Sequence, residues 1–209
     1  MKKFNQQPTF RKRKDRVATE KKLISSVGEL MEQYGPAGLT VNNLRNHSGI
    51  AKTAIYRYFG GLNGLITAYY NSEDIRIQEL EVDVTSLTKE KVIDLIVDSV
   101  EKTFHIIAHN KVIWKFMLWE LTQRKKVLRN ILKQREAVHV AFLKKIEPFL
   151  RDCSLDFKAV YAIIYSAINC LVLDAKACPG THYGYHISNA KERELFFNTI
   201  RSILTFTLN

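Results

Sequence analysis

Apolar side chains recur at three- and four-residue intervals along most of the chain, and no stretch alternates with the two-residue period of a strand. The first stripe, Leu23, Ile24, Val27, Leu30, Met31 and Tyr34, predicts a helix from about Arg16, ended by Gly35 and Pro36 in "YGPAGLT". Thr40 offers a hydroxyl to cap a very short second helix with Val41 and Leu44 inward. Gly49, free to take a positive φ, then turns the chain into a third helix, Ala51 to about Tyr58, anchored by Ile50 and Ile55. Two brief helices joined by a tight glycine turn make a helix-turn-helix. A fourth helix starts near Leu62 and runs through Leu65, Ile66, Tyr69 and Tyr70 toward Leu80.

Beyond the polar break "EVDVTSLT" only long helices are predicted. Thr88 opens one with Val92, Ile96, Val100, Phe104 and Ile107, and Asn110 opens another with Ile113, Phe116, Met117 and Leu121. A third spans Lys125 to Leu150, and Ser154 opens a fourth reaching about Lys176. After the loop "CPGTHYGYHIS", Ser188 caps a last helix ending at Leu208. The expected fold class is all-α, with a flexible basic arm over 1–16, a helix-turn-helix domain over 17–66 and a larger helical domain over 67–209. The last two helices carry little charge over most of their length, so each needs burial on more than one face. Pairing with a second copy in a four-helix bundle covers the surplus; a monomeric core is the plainer alternative.

Charge separates the two halves. Residues 1–66 hold 12 Lys/Arg against 4 Asp/Glu, a net +8 of the chain's +11, and Arg11, Lys12, Arg13, Lys14 and Arg16 fall in one run. Such a field favours a polyanion, nucleic acid or an anionic membrane surface. The third helix can enter a major groove. Lys52, Thr53, Tyr56 and Arg57 share one outward face, because positions i, i+1, i+4 and i+5 are angularly close, with Ile55 and Phe59 opposite. Thr53 and Ala54 are small enough to approach base edges. The hydroxyls of Thr40, Tyr56 and Tyr58 suit phosphate oxygens, and Arg45 suits a phosphate, a guanine edge or simply solvent. The basic run fits the adjacent minor groove.

The stretch "LTVNNLRNHSGIAKTAIYRYFGGLNGL" resembles the DNA-binding signature of the TetR family of bacterial transcriptional regulators, and the likeness covers 17–66 well. It implies a ligand-responsive regulator, most simply a repressor, that binds a palindromic DNA operator as a homodimer through its last two helices. It also implies a small-molecule effector cavity in the second domain, where Phe104, Trp119, Tyr161 and Tyr165 are candidate lining residues; plain core packing is their other reading. Three positions depart from the family pattern: Thr53 replaces a glycine, Ala51 a serine cap, and Leu62 a lysine that reaches a phosphate. The free amides at the start of the fourth helix can still attract that phosphate.

Other signals carry less. His105 with His109, and His182 with His186, have metal-ligand spacing, but the first pair lacks a following glutamate and the second lies in a loop, so no metal or cofactor is expected. No catalytic constellation emerges, and an enzyme is not expected. Cys153, Cys170 and Cys178 form no CxxC pair. Uninterrupted apolar runs fall below the ~18–20 residues that span a bilayer, and no signal-peptide block follows Lys2-Lys3, which places the chain in the cytoplasm without a membrane role. A basic nucleic-acid- or membrane-surface-associated helical protein without a defined operator is the alternative.

Overall fold

Nine α-helices occupy the described residues of the computed structural model, which are 8–72, 87–150 and 153–208, without the side chains of 8–14. They are α1 Pro8–Tyr34, α2 Val41–Ser48, α3 Lys52–Phe59, α4 Leu62–Ser72, α5 Lys89–His109, α6 Lys111–Thr122, α7 Lys126–Ile146, α8 Phe157–Ala177 and α9 Ala190–Leu208. The fold is all-α; the one β feature among the described residues is a bridge between His182 and Tyr185. Two units form, one of Met1–Arg76 with Trp119–Ile131, the other of Ile77–Leu118 with Leu132–Asn209. Residues 119–131, expected in the second domain, thus group with the first unit.

In the first unit α1 packs on α2 and α4, and α3 packs on both of those. Leu23, Val27, Leu30 and Met31 supply α1's buried stripe, and Leu44, Ile55, Leu65, Ile66, Tyr69 and Tyr70 are buried on the other helices. Helix α1 starts at Pro8, well before Arg16; residues 1–7 of the expected arm and the far end of the fourth helix lie outside the described residues. Tyr34 ends α1 and is exposed, because the chain leaves the helix at Gly35, φ 65°. The Thr40 hydroxyl accepts from Asn43 N–H at 3.1 Å, capping α2. Helix α4 begins hard against the end of α3: a Cβ on Gly64 would fall 1.8 Å from the Phe59 carbonyl oxygen.

In the second unit α5 packs on α8 and α9, which also pack on each other. Their core includes Val92, Ile96, Val100, Phe104 and Ile107 of α5, Tyr161, Ile164, Tyr165 and Ile168 of α8, and Phe197, Ile200 and Leu204 of α9. Arg201 reaches back to Asp94 at 2.5 Å, joining α9 to α5. Thr88 caps α5 and the Asn110 carboxamide caps α6, as the pattern predicts. Ser154 and Ser188 do not cap α8 and α9. Asp156 accepts from the amides of Lys158 and Ala159, and Asn189 from those of Lys191 and Glu192, while Ser154 binds the Phe206 carbonyl. The α8–α9 link turns at Tyr183, φ 54°, between the two hydrogen bonds of the His182–Tyr185 bridge.

Among the described helices α8 is long and apolar enough, by length and composition alone, to cross a bilayer, a property that core helices of soluble proteins share; its uninterrupted apolar runs stay short, broken by Ser166, Asn169 and Asp174. It presents one face to the core, yet Ile163 on it is 67% exposed; on α9 Phe206 is 69% exposed, and Leu195 and Ile203 also face outward.

Replacing Gly64 with Ala is expected to cost at least about 2 kcal/mol, since the new methyl meets backbone that must move. Replacing Thr40 with Ala is expected to cost about 1 kcal/mol, the loss of one cap. Urea titrations of the two variants check both values.

Candidate nucleic-acid interface

The turn between α2 and α3 is fixed from both sides. Gly49 adopts φ 71° and sends its N–H to the Arg45 carbonyl, closing α2 in the left-handed conformation that a Cβ disfavours. Beneath it the buried Ser48 hydroxyl donates to the Leu44 carbonyl at 2.5 Å and accepts from Ile50 N–H at 3.1 Å. Sequence periodicity gave no hint of that second clamp, because serine there reads as an ordinary polar residue. Gly60, φ 70°, closes the other end of α3. Ala51 provides no side-chain cap; its carbonyl accepts from Ala54 N–H at 2.9 Å.

Between these bends α3 buries one edge and displays the other. Ile55 is fully buried; Lys52, Thr53, Tyr56 and Arg57 are all exposed, Tyr56 at 59%. Ala54 corrects the expectation: it is 7% exposed and turned inward with Ile55, so it cannot approach a base edge. Ile50 and Phe59, expected as anchors, are only partly covered. Thr40 and Arg45 are exposed at the start and within α2, and His47 of α2 pairs with Glu29 of α1.

Tyr58 is half-buried, and two guanidiniums approach its ring. Arg57 lies 4.5 Å from the ring centroid and donates from Nη2 to the Tyr58 hydroxyl. Arg16 comes from α1, 5.2 Å from the same centroid, with its Nε donating to Glu20 at 2.7 Å. Arg16 is therefore part of a helix in the folded unit. The backbone of Arg11, Lys12, Arg13 and Lys14 continues that helix, and their side chains lie outside the description.

The aromatic candidates of the second domain divide. Tyr161 and Tyr165 lie together, ring centroids 4.5 Å apart, with the His139 ring 4.6 Å from Tyr165. The His139 Nδ1 and the Tyr161 hydroxyl share a hydrogen bond of 2.8 Å, and the Tyr165 hydroxyl donates to Ser99 at 2.8 Å. Burial pushes the pKa of His139 below its ordinary 6.5, with Arg135 adding to the effect; burial pushes both phenols up. Phe104 packs edge-on against Phe197 beneath Arg193, and Trp119, which groups with the first unit, donates to Gln123. His139 and Ser99 were illegible as partners, being 22 and 66 residues from the tyrosines they bind.

Residues 25–69, which span the helix-turn-helix, match the family described as bacterial regulatory proteins, tetR family. No protein of curated function matches the chain by sequence. Among solved structures, the chain shares its fold with a putative TetR-family transcriptional regulator from Vibrio parahaemolyticus, at 16% identity and TM-score 0.56 over 88% of this chain and 97% of the other. It likewise resembles a TetR-family transcription regulator from Marinobacter aquaeolei, at 12% identity and TM-score 0.59 over 92% and 97%. A third is the transcriptional regulator FadR from Bacillus subtilis, solved in complex with stearoyl-CoA, at 16% identity and TM-score 0.58 over 88% and 96%.

Because the folded chain holds His139 below its unfolded value of 6.5, the unfolded state binds the extra proton as pH falls through that value. Stability is expected to be full above that pH and to decline below it, and His139→Gln is expected to flatten the decline. Urea midpoints of both proteins from about pH 7.5 to about pH 5 test the sign.

Proposed function

We propose that this chain, whose residues 25–69 match the tetR family and whose fold is that of the solved regulators above, is a member of that family and a transcriptional repressor that binds a palindromic DNA operator as a homodimer and is released by a small-molecule effector. The observation that carries the reading is the division of α3, with Ala54 and Ile55 inside and Lys52, Thr53, Tyr56 and Arg57 outside. A helix so placed can enter a major groove. Thr53 then faces base edges, while Lys52, Arg57 and the hydroxyls of Tyr56, Tyr58 and Thr40 take phosphates and set register. Arg45, exposed on α2, is assigned a phosphate or a guanine edge, and the basic run Arg11–Lys14 is assigned to the adjacent minor groove by its charge.

Support for the dimer comes from α8 and α9. Ile163 on α8 and Leu195, Ile203 and Phe206 on α9 leave apolar side chains exposed, and a second copy facing them across a two-fold axis removes them from water. Two recognition helices then read half-sites about 34 Å apart. An effector that prefers another separation weakens the complex by linkage. The Bacillus subtilis FadR structure with stearoyl-CoA supports a small-molecule response on this fold, and Phe104, Tyr161 and Tyr165 are the residues of this chain we assign to it. The cytoplasm is the compartment this activity requires.

Selection from randomised duplexes, followed by mobility-shift titration, tests the DNA reading. A near-palindromic site bound at least about a thousandfold more tightly than scrambled duplex is expected. On that site Tyr56→Phe is expected to weaken all sequences alike, whereas Thr53→Ala shifts base preference at one position by about 1–3 kcal/mol. Equal, weak binding to every duplex would leave only a basic protein without an operator.

The dimer has its own check. A variant with Ile163→Glu and Phe206→Glu is expected to sediment as a monomer while keeping its helical circular dichroism, since both side chains already face solvent in the single chain. A wild type that sediments as a monomer at micromolar concentration, or an unaltered dimer in the variant, would overturn it.

A further inference from the structure

Two arginines converge on the exposed end of α3, and only one of them is neutralised. Arg57 donates to an uncharged phenol, the Tyr58 hydroxyl, and keeps its full positive charge for an incoming anion. Arg16, on the other side of the helix-turn-helix in sequence, shares the same ring but spends its Nε on the Glu20 carboxylate at 2.7 Å. The pair is solvent-facing, with the Arg16 side chain 59% exposed and that of Glu20 27%, so the ion pair is not needed to satisfy buried groups. Glu20 is one of only 4 acidic residues among the first 66, and it stands beside a cation that borders the groove-facing helix.

From this placement we infer that Glu20 is an affinity-setting residue: it holds Arg16 on the Tyr58 ring and cancels its charge, so that a DNA phosphate must compete with the carboxylate for the guanidinium. The inference rests on the DNA-binding reading above. Its physical content is local. A phosphate reaching the terminal nitrogens of Arg16 also comes within a few ångströms of the Glu20 oxygens, and the like charges repel at a distance well inside the ~8 Å screening length. A neutral pair also contributes little to the counterion release that drives binding to a duplex. Removing the negative charge while keeping an acceptor for Nε leaves Arg16 where it is and makes its charge available.

Glu20→Gln is the substitution that does this, since the amide oxygen still accepts from Nε. The readout is fluorescence anisotropy of a labelled duplex of about 30 base pairs and arbitrary fixed sequence, because phosphate contacts do not depend on base order. Wild type, Glu20→Gln, Arg16→Ala and the double variant are titrated between about 50 and 200 mM salt. The expected result is tighter binding by Glu20→Gln at low salt. Its log–log salt slope steepens by about 0.9 per protomer, which is about a three- to fourfold larger loss of affinity across that range. The gain disappears when Arg16 is Ala. Binding that weakens or stays the same in Glu20→Gln, or a gain of equal size with Arg16 removed, overturns the inference, the second because it shows only a diffuse change in net charge. Thermal melts of all four proteins show whether each is folded. Wild type that shows no salt-dependent duplex binding at all defeats the DNA-binding reading itself, before any variant is compared.

Discussion

The orientation of α3 depends on a very small buried edge. Eight residues long, it is held by Ile55 and Ala54 beneath and by left-handed glycines, Gly49 and Gly60, at its two ends. A helix of that length has no independent stability and cannot choose its own direction. Its direction is imposed by the two bends, by the Ser48 clamp under the first, and by the start of α4, where the missing Cβ of Gly64 lets the next helix abut the Phe59 carbonyl. Everything that α3 presents outward, Lys52, Thr53, Tyr56 and Arg57, follows from that constraint.

Much of this was legible because it is local. The left-handed turns need glycine, and glycine stands there; the caps of α2, α5 and α6 need a side-chain acceptor, and Thr40, Thr88 and Asn110 provide it. Legibility failed where several acceptors compete within a few residues. Ser154 and Ser188 were plausible caps, but the carboxylate of Asp156 and the carboxamide of Asn189 each take two amides, and each helix starts at the better acceptor. Ala54 was misplaced for a different reason: on a helix this short, a small residue is compatible with either face, and only its packing beside Ile55 decides.

What depends on distant chain was not legible at all. The approach of Arg16 to Tyr58, the engagement of Tyr165 with Ser99 and the pairing of Tyr161 with His139 join residues 42, 66 and 22 positions apart, and nothing in their spacing announces them. Each adds chemistry that composition cannot show. The buried phenols and imidazole give the second unit's core a polar thread, and such a thread favours one arrangement of side chains over its near equivalents. Among the aromatic residues of this unit, the rings of Tyr161 and Tyr165 lie together, and Phe104 meets Phe197 edge-on.

The bare hydrocarbon on α8 and α9 bears on the chain before it acts. A freshly made chain displays Ile163 and Phe206 to a crowded solution, and exposed apolar side chains are what chaperones, proteases and aggregation act on. If a second copy covers them, as proposed above, that meeting is a second-order event whose speed rises with the square of abundance. Scarcity would then shorten the molecule's lifetime, and the gene's own output would decide how long each product survives.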